Sequence, residues 1–289
     1  MVALYLIIAA IIAIACFWGF SSYHFNKMIH QEINNVAHSE PGDSLELFNH
    51  GDLMRIPAPV RRYLKNAIPD GYPIIRTVEL THEGFFKTAP NKDWSPIKGE
   101  EYFSTDPPAY LWIGNLQPSP ILWLKARDKY INGEAEVLVR LYSGLTVSKM
   151  NGSEVNLSAL IRFAGEIPWF PTAFTNESYL QWQPIDDRSA RAVINDHENQ
   201  VTVTYYFNND DEVERFFTQD RYYNGQKQDY TGCYRNYREI NGIRIPTEVE
   251  VVWNLPDGDF SYARFTLTNI IYNKFATNHE SSPHPITAQ

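Results

Sequence analysis

The sequence predicts a mainly β protein of the α+β class, with one large antiparallel sheet of roughly eleven strands, two or three helices and an N-terminal transmembrane helix. Three observations lead to this prediction. The residues 2–20 are apolar, without a charge or a proline. Much of the remaining chain alternates apolar and polar side chains with period two, which is typical of strands. Hairpin-type turns such as Asn224-Gly225 and Asn241-Gly242 join these segments, so consecutive strands should pair antiparallel in a sheet long enough to curl.

The apolar segment at the N-terminus is long enough to cross a bilayer. A helix over residues 2–20 spans about 28 Å, close to the ~30 Å of the hydrocarbon core. The first basic side chain is Lys27, whereas a cleaved signal peptide normally begins with a basic stretch. We therefore predict a single-pass anchor over residues 1–26. Cleavage after a small residue and lipidation at Cys16 stay open, and we favour the extracytoplasmic side for the domain.

The rest of the chain divides into three parts. We predict a polar linker or helical extension of the anchor over residues 27–52, a single β-rich domain over 53–275 and a disordered tail over 276–289. The domain should begin with a short helix after Pro57, since proline suits a first turn. Its apolar residues follow the helical spacing i, i+3, i+4, i+7 and i+8: Val60, Tyr63, Leu64, Ala67 and Ile68.

The strand pattern begins at Ile74 and is interrupted once. Asn156 is suited to cap a helix that runs to about Ile167, with Arg162 and Glu166 four residues apart. The remaining segments read as strands: 74–82, 102–114, 121–130, 134–148, 179–185, 190–195, 201–207, 213–223, 230–240, 244–253 and 260–272.

The apolar faces of the later strands are rich in aromatic residues, which make up 14% of the chain. In one strand, the alternation places Val213, Arg215, Phe217, Arg221 and Tyr223 on the same face. Two interpretations stay open: the aromatic residues fill the core of a curved sheet, or they line a concave surface that binds a lipid or another hydrophobic molecule.

Some charged residues fall on these apolar faces. Asp128 shares parity with Leu122, Leu124 and Ala126, and a buried carboxylate needs a partner. Arg162 and Glu166 can pair with each other, either as a structural network or as the polar end of a ligand cavity. Further candidates for the same network are Arg127, Asp186, Arg221 and Glu248.

Composition and motifs exclude several functions. A net charge of −9 argues against nucleic-acid binding, and two cysteines exclude a disulfide-stapled scaffold. The chain has no glycine-rich phosphate loop, GxSxG elbow or HExxH helix, so we predict no cofactor and no metal. A carboxylate pair such as Asp128 and Glu166, with His82, leaves open a hydrolase acting on a membrane-derived substrate.

Several runs resemble an uncharacterised bacterial domain-of-unknown-function family. They include Arg127-Asp128-Lys129-Tyr130, the segment 162–172 and Asp220-Arg221-Tyr222. The resemblance covers about Ile56 to Tyr272 and implies that the motif residues serve structure or binding. With the charged candidates above, the predicted binding or network residues are Arg127, Asp128, Tyr130, Arg162, Glu166, Trp169, Asp186, Arg221, Tyr222, Glu248 and Trp253.

The order of elements also resembles the architecture of LolA/LolB-like lipoprotein carriers. That resemblance implies a strongly curved sheet with helices on its concave side, and a cavity able to hold an acyl chain. The sequence therefore predicts a membrane-tethered domain that binds a lipid or other hydrophobic ligand between sheet and helices, without catalysis. A structural or interaction module stays an alternative, and the sequence specifies no protein partner.

Overall fold

The computed structural model describes residues 1–37 and 46–274, in which a single antiparallel sheet dominates. The sheet curves into a half-barrel of thirteen strands. In the described chain the order across the sheet is β6-β5-β4-β3-β2-β1-β13-β12-β11-β10-β9-β8-β7. The predicted fold class is therefore confirmed. The predicted tail and residues 38–45 of the predicted linker lie outside the described residues.

The helices and strands have the following bounds: α1 Val2–Ala37, α2 Ala58–Ala67, β1 Thr77–Phe86, β2 Ser95–Thr105, β3 Pro108–Ser119, β4 Leu122–Ile131, β5 Glu134–Leu141, β6 Leu145–Asn151, α3 Ser153–Glu166, β7 Leu180–Asp186, β8 Ser189–Asp196, β9 Asn199–Phe207, β10 Val213–Tyr223, β11 Gln226–Ile240, β12 Ile243–Leu255 and β13 Gly258–Tyr272. Short 3-10 turns precede α2 and follow α3.

Two meanders build the sheet and meet where β1 pairs with β13. β6 and β7 are consecutive in sequence but form opposite edges of the sheet. The chain between them holds α3 and two 3-10 turns, which cross one face. We call this the concave face and the opposite one the convex face. The long connection places α3 over the middle of the sheet.

The strand count differs from the predicted eleven because two predicted strands are hairpins. The predicted strand 102–114 contains the turn between β2 and β3 at Asp106-Pro107. The predicted strand 134–148 contains the turn at Tyr142-Ser143-Gly144 between β5 and β6. The alternation resumes directly after both turns, so the period alone did not show where the chain reverses, and the turn residues Asp106-Pro107 and Ser143-Gly144 were the available signal.

The two helices of the domain pack against the core through their apolar residues. In α2 the apolar stripe is buried, including Val60 and Leu64 at 0% exposure. The end of α3 is fixed by tyrosines of the sheet, because the hydroxyls of Tyr205 and Tyr234 donate to the carbonyls of Ala164 and Gly165. Helix ends leave such carbonyls without helical partners. α3 is thus tied to the concave face by hydrogen bonds as well as by packing.

The start of α3 corrects the predicted cap. The helix begins at Ser153, three residues before Asn156, and its N-cap position is Gly152. The side chain of Asn156 instead accepts a hydrogen bond from the backbone N–H of Ala135, at 2.8 Å. Asn156 therefore joins α3 to β5 rather than capping the helix.

A second correction concerns β10, where bulges interrupt the alternation. The pairing shifts between Val213 and Arg215, and again between Thr218 and Arg221. Phe216 is buried in the core as a result, whereas the sequence placed Phe217 on the inner face. Each bulge reverses the side on which the following residues lie.

α1 has two halves with different surroundings. Its N-terminal part is a candidate membrane span, with a mean hydropathy of 2.6 in an 18-residue window that is not buried by the rest of the chain. Its C-terminal part packs on the convex face, where Phe25, Ile29 and Val36 form a core with Leu111 and Ile113 of β3. The C-terminal half of α1 is therefore packed on the sheet.

Candidate functional site

A cavity of about 380 Å³ lies between the concave face and α3. Its wall is formed mainly by aliphatic and aromatic side chains from both meanders. Leu116, Leu124 and Val139 come from the first meander, and Val249 and Val251 from the second. Apolar clefts of this size are typical of small-molecule sites. We call this space the sheet cavity.

Two glycines make room for aromatic rings on the wall of the cavity. Gly99 and Gly114 pair across β2 and β3. A Cβ on Gly99 would lie 2.2 Å from Nε2 of His82, and a Cβ on Gly114 would lie 2.2 Å from the Trp112 ring. Because side chains are absent at both positions, the rings of His82 and Trp112 can lie close against the sheet. The planes of the two rings are 4° from parallel to each other.

Arg162 of α3 is the centre of an ion-pair cluster at one side of the cavity. Each of its three guanidinium nitrogens donates to a different carboxylate: Nη2 to Glu101 at 2.8 Å, Nη1 to Asp128 at 2.8 Å and Nε to Glu166 at 2.9 Å. We call these four residues the concave cluster. The guanidinium also lies 4.9 Å from the ring centre of Trp112. Three strands and a helix are thereby joined at one cation.

The concave cluster holds more carboxylates than cations. Burial raises the pKa of Glu101 well above its usual value, against the opposing effect of Arg162, and the neighbouring Glu166 and Asp128 raise it further. Burial also raises the pKa of Glu166. Since one guanidinium cannot neutralise three carboxylates at once, Glu101 and Glu166 keep their protons to a higher pH than free glutamates do.

Arg221 brings a second cation to the cavity and is held differently. Its guanidinium carbon lies 4.1 Å from the ring centre of Tyr230 and 5.2 Å from that of Trp253. Its Nη1 donates to the hydroxyl of Tyr262 at 3.2 Å. Within residues 1–37 and 46–274, no carboxylate lies within 4.0 Å of its guanidinium. Aromatic faces thus stabilise this cation while leaving donors unused.

His82 is buried next to the concave cluster. Its Nε2 accepts a hydrogen bond from the Trp112 indole at 2.8 Å, so the neutral ring carries its proton on Nδ1. That Nδ1 is buried and has no hydrogen-bond partner among the described residues. Burial, followed by the charge of Arg162, lowers the pKa of His82 to about 3. The ring is therefore neutral at physiological pH.

Arg127 lies on the opposite face from the residues with which the sequence grouped it. Its Nε lies 3.1 Å from Glu32 of α1, and its Nη2 donates to Glu136 of β5. Lys129 pairs with Glu32 at 3.0 Å, and Lys149 with Glu136 at 2.8 Å. We call these five residues the convex cluster. It attaches α1 to the sheet.

The other predicted residues divide between the cavity and the outer surface. Trp169 lines the cavity, and Trp253 packs on Arg221. Tyr130 stacks on Tyr110, and its hydroxyl donates to Asp196 at 2.6 Å. Three residues lie away from the cavity: Asp186 at the exposed end of β7, Tyr222 beside Lys227, and Glu248 on an exposed strand position. The backbone N–H of Arg188 lowers the pKa of Asp186.

Several residues at the cavity were not singled out from the sequence as site candidates. They are Glu101, Tyr110, Trp112, Tyr230 and Tyr262. Glu101 is 1% exposed but follows Glu100, so the pair reads in sequence as a solvated turn. A strand that includes both Glu101 and Phe103, as β2 does, places their side chains on the same face, and this was the available signal.

No group of three or more histidine, cysteine, aspartate or glutamate side chains in the described part of the chain is placed to hold a metal ion. The carboxylates of the concave cluster each face Arg162. The arrangement can therefore position α3 and present a cation beside an apolar space.

Comparison with known proteins gives a family. A profile of DUF6544, described as a family of unknown function, matches residues 46–265, and this confirms the predicted kind of family. No curated protein matches the chain. One similar solved structure is a DUF1329 family protein from Desulfovibrio piger, with 13% identity, a TM-score of 0.42, and 71% of this chain and 88% of that chain covered. Another is a LolA superfamily protein from Nitrosomonas europaea, with 14% identity, a TM-score of 0.39, and 76% and 95% covered.

Proposed function

Since this chain belongs to the DUF6544 family, whose function is unknown, we propose its function from its geometry: it is a membrane-tethered domain that binds a hydrophobic ligand in the sheet cavity. The observation that carries the proposal is the apolar cavity of about 380 Å³ between the curved sheet and α3. Burial of an apolar ligand there removes its surface from water, which is worth about 25 cal/mol per Å².

The cavity also offers one polar contact for such a ligand. Arg221 has unused guanidinium donors beside the apolar wall, whereas Arg162 has each nitrogen on a carboxylate. A ligand with a carboxylate or phosphate at one end would place that group on Arg221, and its apolar part along Val249, Val251 and Leu116. The ligand class is therefore an amphiphile with a single acidic or strongly polar end.

The contacts of the residues considered for catalysis favour binding. Asp128 and Glu166 both accept hydrogen bonds from Arg162. His82, with its pKa lowered to about 3, is a weak base at neutral pH. The extracytoplasmic location of the domain stays a prediction, which reagents that do not cross membranes would test in intact cells.

The first experiment uses the full chain in lipid nanodiscs and compares two matched variants. Val139→Phe narrows the sheet cavity, while Val193→Phe places the same ring at a half-buried position of β8 that does not line it. Native mass spectrometry with lipid extraction measures the bound mass. We expect one stoichiometric ligand on the wild type and on Val193→Phe, and a loss of at least tenfold in occupancy on Val139→Phe.

Annular lipids of the nanodisc remain on all three proteins, so the difference between the two variants reports the cavity alone. Circular dichroism checks that both variants keep the fold. Equal occupancy in all three folded proteins, or none in any of them, overturns the proposal and favours a structural or interaction module.

A further inference from the structure

The end of the sheet beside the anchor has an unusual surface. Exposed apolar side chains concentrate on the β3–β4 turn, the β5–β6 turn and the strands that adjoin them. Ile121 is 79% exposed, Trp123 52% and Val147 52%. At the other end of the same strands the turns are polar, with Asp106-Pro107 and Asn132-Gly133. We call the apolar end the hairpin end.

The hairpin end is fixed to α1 where the helix leaves the folded domain. The Trp18 indole donates to the carbonyl of Tyr142 at 3.1 Å, and Ser21 donates to the carbonyl of Gly144 at 2.7 Å. The Tyr142 hydroxyl donates to the carbonyl of Ile121, which joins the two turns to each other. The position of these turns relative to the apolar helix is therefore set by hydrogen bonds.

α1 runs beside β4 in the same direction, so each position on β4 can be matched to a level along α1. Asn26 contacts Lys125 and Glu32 contacts Lys129, at 3.2 and 3.0 Å. Trp18 reaches Trp123 through the ring of Tyr142. Helix residues 18 to 32 cover about 21 Å and strand residues 123 to 129 about 20 Å, so the two elements advance together.

This correspondence places Ile121 further along the direction of the apolar segment than Trp18. Ile121 precedes Trp123 by two residues, or about 7 Å along the strand. The same distance along α1 from Trp18 reaches about Ile14, inside the apolar segment. Tryptophan and tyrosine favour the boundary between hydrocarbon and water, and Trp18, Tyr142 and Trp123 form a contiguous aromatic group at this level.

We propose that the hairpin end lies in the bilayer that holds residues 2–17, with Ile121 at the hydrocarbon boundary, so that the sheet cavity takes its ligand directly from the membrane. Leu124 and Val139 line the cavity and lie within three residues of these turns. Among the lining residues of the described chain, Thr88 and Met150 are the exposed ones, and Met150 belongs to β6 of the β5–β6 hairpin. The part of the inference that concerns ligand entry rests on the proposed function.

The test measures depth with a nitroxide spin label on the full chain in phosphatidylcholine vesicles. In a background with Cys16→Ser and Cys233→Ala, Ile121→Cys is compared with Ile185→Cys, an isoleucine that is 47% exposed on β7. We expect the label at 121 to be relaxed by oxygen and shielded from a water-soluble nickel complex. The label at 185 should show the reverse.

Two outcomes overturn the proposal. Access of the nickel complex at both positions would place the hairpin end in water. Shielding of position 121 from oxygen as well as nickel would show contact with protein, a partner or a second copy. Trp123→Cys provides an independent reading at a second exposed position. Ligand bound in the cavity together with a solvent-exposed label at 121 would leave the proposed function standing and refute this inference alone.

Discussion

Arg127 and Asp128 are neighbours in β4, yet their side chains enter two charge clusters on opposite faces of the sheet. The convex cluster attaches α1 and the concave cluster attaches α3. In the convex cluster three cations face two carboxylates: Arg127, Lys129 and Lys149 against Glu32 and Glu136. In the concave cluster one cation faces three carboxylates.

The two clusters differ in the direction in which the pKa of their glutamates is shifted. Burial alone would raise the pKa of Glu136, but hydrogen bonds from Lys149 and Arg127 outweigh it and lower the pKa. In the concave cluster burial prevails, and the pKa of Glu101 and Glu166 is raised. The convex cluster has one cation more than carboxylates, whereas the concave cluster has two carboxylates more than cations and lies against the cavity. The sign of the charge surplus, rather than the number of ion pairs, separates the convex cluster from the candidate site.

The largest expected effect comes from removing the central cation of each cluster. Arg162→Ala leaves three carboxylates without a cation in direct contact, and breaking a buried network in this way costs about 3–5 kcal/mol of unfolding free energy. Arg127→Ala should cost about 2–3 kcal/mol, because Lys129 and Lys149 still pair with the two glutamates. Chemical denaturation in detergent micelles measures both. Arg264→Ala, at an exposed ion pair, is the control and should cost less than about 1 kcal/mol.

Equal losses for Arg162→Ala and Arg127→Ala would break the comparison. That result would mean that the surplus of carboxylates has no energetic consequence, and the concave cluster would then be a structural clamp like its counterpart.

The residues of the concave cluster can be predicted from the sequence only where they follow a local pattern. Arg162 and Glu166 follow from their spacing of four on a predicted helix, and Asp128 from its parity with Leu122 and Leu124. In the structure Arg162 contacts Asp128 at 2.8 Å and Glu166 at 2.9 Å. Local periodicity suffices where a residue and its partners lie on regular elements.

Where the pattern breaks, prediction from the sequence failed. Glu101 was missed because the predicted strand started at Tyr102 and ran through the turn at Asp106-Pro107. Arg127 was assigned to the same network as Asp128, although adjacent strand residues point to opposite faces. One of its two partners, Glu32, lies 95 positions earlier, on a helix whose packing face only the folded sheet defines. The bulges in β10 likewise depend on pairing with neighbouring strands.

The next effect depends on the exclusion of water from the His82 ring on the concave face. The folded pKa of His82 is about 3, below the 6.5 of an unfolded histidine. The unfolded chain therefore binds a proton below pH 6.5 that the folded chain does not, and stability falls as the pH falls, by about 1.4 kcal/mol per pH unit down to about pH 3. At pH 5 the loss reaches about 2 kcal/mol. His82→Gln keeps an acceptor for Trp112 and should remove this dependence.

Urea denaturation of the wild type and His82→Gln at pH 7 and pH 5 measures this effect. Identical pH dependences would show that water reaches the His82 ring, and the concave face would then be no drier than the convex one.

The smallest effect distinguishes the two clusters by sign. In acid, where the carboxyl of Glu101 is protonated in both the folded and the unfolded chain, Glu101→Gln replaces it by a neutral amide of the same shape, so we expect a change of less than about 1 kcal/mol. Because the folded pKa of Glu101 is raised, its contribution to stability is present at low pH and is lost as the pH rises through the folded pKa. The variant should therefore gain stability relative to the wild type as the pH rises above the unfolded value of about 4.5.

Glu136→Gln should behave in the opposite way. The pKa of Glu136 is lowered, so its contribution is present above the unfolded value of about 4.5 and is lost only as the pH falls through the folded pKa. This variant should lose about 1 kcal/mol at pH 7 and recover relative to the wild type in acid. Stability curves for both variants from pH 4 to pH 9 compare two glutamates on one sheet. The two variants could instead change their stability relative to the wild type in the same direction as the pH rises. In that case the pKa of Glu101 would not be raised, and Arg221 would be balancing the surplus carboxylate charge instead of remaining available to a ligand.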